Sequence, residues 1–521
     1  MIKQCVSRVL LLSAIGILAP AAWGTENNPF ANEEAVPIDQ RRLLTSVISR
    51  NGQALFARLQ QQIAEGNFDE KSSLMQPEFF AEGRYTDQDT KNSATDKASN
   101  FNRQKDAFEQ QELNLETGVK LPTTTGAELI MSWSGTQRDS NLTSFGNSGA
   151  SEIGEEFTGS LNLSVRQPLL QGFGNRITES RIEEANLERR VVEEELHREL
   201  LTVSAEALRA YWQIYMAERF IEVETSALKN ADNIMNETQN QVNAGRQPNT
   251  SMWEAEARVL ESQSSLHAEE QRWRDSQSQL RTLLSLPGDE FDALTFGIVD
   301  RPVTAAYPMP EDFTAYADNL LQQWPGYRAA KWRQQIQEQV LTRVKEENRN
   351  KLDLVTGYRT SSFDTQGGDA FNDSFQTDHP TWYVGLEFSM PIGTNLKRRG
   401  AVGSAQAQQR QADLALRDVR VELINELRNR LAQLDVAHGD LRRARRNQEL
   451  YEDLFEVELK RYNVGQSRLR ELYEREDDRI SAQKRYAKAL ADYQLAIIGM
   501  QLAEGTLFDR YNINIASVDD L

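Results

Sequence analysis

The side chains that could do chemistry in this chain are carboxylates, not nucleophiles or metal ligands. The 4 histidines, His197, His267, His379 and His438, are too scattered to form a local metal motif. The 1 cysteine, Cys5, excludes a disulfide framework and any multi-Cys zinc site. Neither Gly-x-Ser-x-Gly nor His-Glu-x-x-His occurs, and a glycosidase-type carboxylate pair cannot be placed without a cleft. An acidic run does stand out: Glu471, Glu474, Glu476, Asp477 and Asp478. Glu471 and Glu474 lie six and nine residues past Gly465. Three apart on a helix is one face. Carboxylates so placed form either a solvated surface or a site that attracts cations and repels anions.

The 521 residues include 59 Lys+Arg and 78 Asp+Glu, for a formal net charge of −19. Such an acidic chain has no basic surplus to neutralise phosphates, which argues against a nucleic-acid partner. Hydrophobic residues are 39% of the chain and the mean hydropathy is −0.62, which excludes a polytopic helical membrane protein. A β-barrel is not excluded, because alternating strands hardly move the average. Lys3 and Arg8, the apolar run Val9–Ala19 and the small residues Ala22 and Gly24 read as a secretory signal peptide over 1–24. The apolar core is shorter than the ~20 residues that span a bilayer. Cys5 falls inside this segment, so the mature chain carries no cysteine.

The elements that must position the acidic run follow from hydrophobic period. Residues 38–66 carry a 3–4 spacing and predict a helix. The period then becomes two over 112–121, 126–135 and 161–165, with a weaker candidate strand at 78–87. Polar stretches at 88–108 and 136–156 separate them. A second alternating pair covers 352–363 and 381–390, with a polar loop at 364–380 between. Short turns on one side and long polar loops on the other fit a transmembrane barrel; a soluble antiparallel sheet with one wet face is the other reading. Between the strand sets, 177–242 holds neither Pro nor Gly. At ~1.5 Å per residue such a helix reaches roughly 100 Å. It breaks at Asn243–Pro248 and returns over 250–286, where Met252, Val259, Leu266, Trp273 and Leu280 are spaced by seven, a coiled-coil seam. A shorter helix spans 311–350, interrupted at Trp324-Pro325-Gly326. Helices over 397–463 and 467–500 then repeat the long pattern.

The halves correspond residue by residue. Gln241-Val242-Asn243-Ala244-Gly245 matches Arg461-Tyr462-Asn463-Val464-Gly465 at an offset of 220, and Gln167-Pro168 matches Met390-Pro391 at 223. Each half reads strand pair, long helix, tight turn, return helix: an internal duplication.

With this architecture the chain resembles the TolC-type outer-membrane efflux proteins. The resemblance covers about 38–510. It rests on the duplicated strand-to-helix unit, on Val165-Arg166-Gln167-Pro168-Leu169-Leu170 with Gly172, on Tyr462-Asn463-Val464-Gly465, and on Trp324-Pro325-Gly326-Tyr327-Arg328-Ala329-Ala330. It implies a mixed fold: transmembrane β-barrel strands plus long coiled helical hairpins forming an α-barrel, internally duplicated, in a trimeric tunnel. The segments are then 1–24 signal peptide, 25–174 N-terminal helix and first strands, 175–286 first long hairpin, 287–350 equatorial segment, 351–391 second strand pair, 392–503 second long hairpin and 504–521 C-terminal equatorial segment. The family commonly gives four strands per protomer. This chain offers about six, so either the barrel is larger or the hairpin of 112–121 and 126–135 extends beyond the membrane.

The resemblance further implies a non-enzymatic homotrimer without cofactors or metal in the Gram-negative outer membrane, extending far into the periplasm. Such a duct docks a periplasmic adaptor and an inner-membrane transporter of RND or ABC type, and serves efflux or type I secretion. Glu471 and Glu474 would form two stacked acidic rings at the tunnel mouth. Tyr462 and Arg468 would hold the closed mouth, although Ser467 and Ser251 replace charged residues usual in the family. The hairpin tips, Asn243, Gly245, Arg246, Asn463 and Gly465, would meet the adaptor. Trp133, Tyr358, Trp382 and Tyr383 are candidates for an aromatic girdle at the membrane interface. A periplasmic coiled-coil adaptor or structural protein without a pore is the competing class; the duplication and the strand pairs argue against it. If the acidic rings act as the resemblance implies, replacing Glu471 and Glu474 by Ala will lower cation preference, read as a reversal potential nearer zero in a salt gradient across a planar bilayer. An unchanged potential would make them solvated surface.

Overall fold

The computed structural model describes residues 36–94, 106–141, 155–286, 294–376, 379–392 and 395–514; the segment read as a signal peptide lies outside them. The chain divides into two compact units. One comprises residues up to Leu43, Ala207–Ala306 and Val436–Leu495; the other comprises Leu44–Glu206, Tyr307–Asp435 and Ala496 onward. The division cuts across the linear segments read from the sequence, because each long helix contributes to both units.

In the second unit the period-two segments form a single antiparallel sheet. Its strands are β2 (Glu78–Lys91), β3 (Ala107–Pro122), β4 (Glu128–Ser140), β5 (Glu156–Pro168), β7 (Lys351–Arg359) and β9 (Thr381–Ser389), in the order β2-β3-β4-β5-β7-β9. A short β8 (Ser362–Asp364) adds to β5 beyond the end of β7. The strands outrun their apolar cores. Asp87, Gln88 and Asp89 stay in the ladder opposite Gln111, Gln110 and Glu109, because backbone pairing continues whatever the side chains are. The stretch 364–380, expected as a loop, contains helix α7 (Gly367–Asp373). Seven residues are too few to show a helical period, and the helix is held by tertiary packing. Phe371 meets Trp133 edge-on at 5.1 Å, and the Trp133 indole N–H donates to Ser374 Oγ at 3.0 Å.

Register sorts the side chains onto two faces. Residues directly opposite share a face. Trp382 pairs with Tyr358, Tyr358 with Leu163, Leu163 with Met131, and Met131 with Val119, which pairs with Phe79. One face is thus apolar across all six long strands. The other carries residues such as Glu387, Asp353, Arg166, Glu128 and Lys120.

The β3–β4 turn anchors the start of the first long helix, α3 (Arg176–Asn243). Gly126 in that turn has φ 81°, and Gly172 and Gly174 have φ 84° and 70°. The Gly174 N–H donates to the Thr125 carbonyl at 3.0 Å, and Gln167 Nε2 donates to the same oxygen at 3.0 Å. A Cβ on Gly126 would lie 2.4 Å from the Gly172 carbonyl oxygen. This explains why Val165–Gly172 ends as it does: a polar Gln, a Pro that needs no donor and a Gly together turn the chain from strand to helix. Ion pairs then fix α3 against α6 (Pro325–Glu347). Arg343 grips Glu184 through two nitrogens at 2.8 and 3.2 Å, and Arg328 meets Glu194 at 2.6 Å. Pro325 opens α6 just after α5 (Phe313–Gln323), as the break at Trp324-Pro325-Gly326 foretold.

The predicted helix over 38–66 is two helices, α1 (Gln40–Arg50) and α2 (Gly52–Ser72). Asn51 separates them because its side-chain oxygen caps α2, accepting from the N–H groups of Gln53 at 2.8 Å and Ala54 at 3.3 Å. Val36–Ile38 is a strand, β1, paired in parallel with β6 (Phe296–Ile298) in the first unit. Beside that pair the buried Tyr211 hydroxyl donates to Asp300 Oδ2 at 2.7 Å.

The rest of the first unit is made of hairpins: α3 with α4 (Thr250–Leu283), and α8 (Leu396–Asn463) with α9 (Leu469–Glu504). On α4 the seven-spaced stripe is only partly covered. Val259 and Leu280 are buried, whereas Met252, Leu266 and Trp273 are half-buried. The deeper stripe beside it is small or polar: Ser251, Ala255, Ser262, Glu269 and Gln277. Helix faces that meet closely select for side-chain size as well as polarity, which period counting does not register.

Gly126→Ala combines a positive φ with a backbone collision and should destabilise the sheet unit by roughly 1–3 kcal/mol. A lower thermal midpoint than wild type in detergent checks this; an unchanged midpoint would mean that the turn is not under the constraint described.

Candidate gate at the hairpin tips and the membrane-facing sheet

Both long helices end through the same backbone device. In the first tip the N–H groups of Ala244, Gly245 and Arg246 donate to the carbonyls of Asn240, Val242 and Gln241 at 3.0, 2.9 and 2.8 Å. In the second, those of Val464, Gly465 and Gln466 donate to Lys460, Tyr462 and Arg461 at 3.3, 2.9 and 2.8 Å. Gly245 and Gly465 have φ 70° and 76°. This is the αL helix termination that asks for glycine after the last turn. Asn243 and Asn463 are the last residues of their helices, and Arg246 and Val464 stand exposed at the tips.

Below the tips the four helices share a core. Tyr462 is 1% exposed and packs with Ile234, Ala255, Phe455, Leu469 and Leu472. Its hydroxyl lies 2.8 Å from the Thr238 hydroxyl, bridging α8 to α3, and burial raises its pKa. Glu471 and Glu474 both project from the exposed face of α9. Ser467 Oγ lies 3.2 Å from Glu471 and bonds also to Glu458, which Arg461 holds at 2.9 Å. The serine at this position therefore joins two acids. Among the described residues Glu474 pairs with Arg470, at 3.4 Å between two largely exposed side chains, a pair worth little. Arg468 is exposed, and among the described residues no acid pairs with it.

The structure adds a residue that the sequence reading passed over. Glu476 was grouped with the solvated acidic run, yet it is fully buried. Arg258 Nε and a guanidinium nitrogen of Arg479 each approach it to 3.8 Å, and Arg258 also pairs with Asp477. The Arg479 guanidinium stacks over Phe455 at 4.0 Å. Burial pushes the Glu476 carboxyl up to about 7, with the two arginines opposing it. Its position was legible: Leu469, Leu472, Glu476 and Arg479 follow the helical period of the buried stripe. Nearby, Lys484 is clamped between Glu224 at 2.6 Å and Glu269 at 2.8 Å, both buried. No group of three metal-ligating side chains occurs among the described residues. His197 is half-buried in the second unit and stacks on Phe508 at 6.0 Å; burial lowers its pKa.

On the sheet, Trp133, Tyr358 and Trp382 share the apolar face at neighbouring heights, Tyr358 and Trp382 as a direct cross-strand pair. Tyr383 lies on the opposite, polar face. It follows Trp382 in an extended strand, so period two separates them. Its ring covers Gly357, where a Cβ would come within 2.4 Å. Among the described residues no helix is long and apolar enough to cross a membrane.

Residues 317–506 match the family model for the outer membrane efflux protein. No curated protein matches the chain by sequence. Among solved structures, a membrane protein from Pseudomonas aeruginosa superposes with a TM-score of 0.66 at 15% identity, covering 94% of this chain and 99% of that one. The Campylobacter jejuni CmeC outer membrane channel gives 0.65 at 13% identity, covering 96% and 99%. The outer membrane protein VceC of Vibrio cholerae gives 0.63 at 13%, covering 89% and 96%. Residues 317–506 thus carry an outer membrane efflux protein domain, and about nine-tenths of the chain takes the fold of these membrane proteins.

Because Glu476 holds its proton more tightly when folded than its ordinary 4.5 would allow, its contribution to stability is fully present below about pH 4.5. That contribution is lost as the pH rises through about 7. Thermal midpoints should therefore fall across this window, and Glu476→Gln should flatten the fall. An identical slope in the variant would remove Glu476 from the account.

Proposed function

We propose that this protein is the outer-membrane exit duct of a tripartite efflux or type I secretion system. It lies in the outer membrane as a homotrimer, with the sheets forming the barrel wall and the helical hairpins a periplasmic tunnel. The observation that carries the reading is the union, in one chain, of a sheet whose six long strands share one apolar face and two 68-residue helices turned back at matching tips. A sheet with two open edges cannot stand alone in hydrocarbon, and helices of this length need neighbours along both flanks. Cyclic association of copies satisfies both. The matching tips and equal helix lengths support descent from an internal duplication.

The duct is a passive conduit with no cofactor and no catalytic group. It is closed at the tunnel mouth, where three copies of Glu471 and Glu474 stack as rings that select for cations. Tyr462 and the charge cluster around Glu476 hold each protomer's hairpins together, and Arg468 is free to meet an acid of the neighbouring copy. A periplasmic adaptor docks on Asn243–Arg246 and Asn463–Gly465, and an RND or ABC transporter of the inner membrane delivers the cargo. Outer-membrane lipid contacts Trp133, Tyr358 and Trp382.

Fractionation followed by mass measurement in mild detergent tests this. The expected result is an outer-membrane trimer that dissociates on heating and conducts ions in a planar bilayer. A soluble monomer without conductance would overturn the reading.

A further inference from the structure

The proposed duct leaves open how many strands build its wall. We propose that β2 of one copy pairs with β9 of the next, so that three copies close a barrel of eighteen strands, wider than the twelve that a four-stranded protomer would give. The inference rests on the trimeric reading above.

The first observation is edge occupancy. A four-stranded wall that omits β3 and β4 needs β2 on the edge of β5, which β4 occupies over residues 156–166, and one that omits β2 and β3 needs the outer edge of β4 to be free. That edge of β4 is taken along its whole length by β3, residues 110–122 against 128–140. β3 in turn is covered by β2 over all fourteen residues of that strand. Among the described residues, the free edges of the sheet are therefore β2 and β9.

The second observation is direction. Every ladder from β2 to β9 is antiparallel, and six strands lie on the path. An even number leaves the two edge strands running opposite ways. β9 of one copy then meets β2 of the next antiparallel, and the alternation continues around the ring without a fault.

The third is sidedness. A hairpin standing outside the bilayer would have no reason to keep one apolar face. On β2 and β3, however, Phe79, Ala81 and Tyr85 with Leu115 and Val119 continue the face of Met131, Leu163 and Leu386 by register. Phe79 and Leu386 are 72% and 67% exposed in the single chain, as a lipid-facing surface must be. The other face of the same hairpin carries Glu82, Arg84, Glu112 and Glu116, with Arg138 reaching across to Glu112 at 3.1 Å. That is the polar lining of a water-filled lumen. Barrel diameter grows roughly linearly with strand number, so the lumen is about half as wide again as with twelve. The outer end of the duct would accordingly pass bulkier solutes than a twelve-stranded wall admits.

Cross-linking in the full-length chain tests the seam. The sequence holds only Cys5, so cysteines can be introduced on a silent background. Glu82→Cys or Arg84→Cys on β2 is combined with Gly385→Cys or Glu387→Cys on β9, all on the polar face. A short bis-maleimide should then give covalent dimer and trimer bands that survive heating. Links formed instead from Ser134→Cys on β4 to the same β9 positions would overturn the proposal. Imaging the unmodified, detergent-extracted oligomer by electron cryomicroscopy guards against variants that fail to assemble. Eighteen strands are expected, and a trimer with twelve would overturn the seam while leaving the duct intact. A monomer by mass would instead bring down the trimeric reading itself.

Discussion

Backbone N–H and C=O groups cannot be left unpaired in hydrocarbon, and for this chain that rule decides almost everything else. Among the described residues, one chain supplies six long strands and two bare edges. Each unsatisfied group costs several kcal/mol, so a lone sheet in lipid is not a stable object. In the proposed duct, copies join edge to edge. Once they do, the strand-to-helix corners at Gly126, Gly172 and Gly174 transmit the ring to the long helices, which leave the sheet where β5 ends and where β9 ends.

The hairpin unit obeys a different rule. Its core is apolar only in part. Tyr462, Leu469 and Leu472 supply ordinary burial, whereas Glu476, Arg258 and Arg479 place charges where water is scarce. A buried ion cluster of this kind adds little net stability, because desolvation offsets much of the Coulomb gain. What it supplies is sensitivity: removing one member leaves the others unpaired, and the protonation of Glu476 shifts the balance. For the gate proposed at these tips, marginal internal packing is a physical advantage, since a fully apolar seam would open only at the cost of its whole buried area.

The exposed pair Glu471 and Glu474 stands apart from that interior. Ser467 ties Glu471 to Glu458, while Glu474 keeps only a weak, solvated partner. The two acids therefore present charge outward on one helix face, the arrangement that selectivity by charged rings calls for. In the proposed duct the same helix thus carries two acidic functions, one facing the lumen and one facing its own core.

The sequence by itself determined the kind and order of the elements. Period-two and heptad patterns, the absence of Pro and Gly over 177–242, and the two Asn-x-Gly stops need no partner to be read, because they are properties of local backbone geometry. Only tertiary structure decided which strand lies beside which, and so that six strands share one apolar face. Pairing partners far apart in sequence leave no local signature. Helix α7 is held by Trp133 and Ser374 with no period of its own, and Asn51 divides a helix that hydrophobic spacing runs together. Glu476 was obscured for a related reason: composition placed it with its acidic neighbours, while the 3.6-residue turn placed it with Leu472 in the core. Side-chain chemistry is written in the sequence, but the medium around each side chain is set by what folds against it.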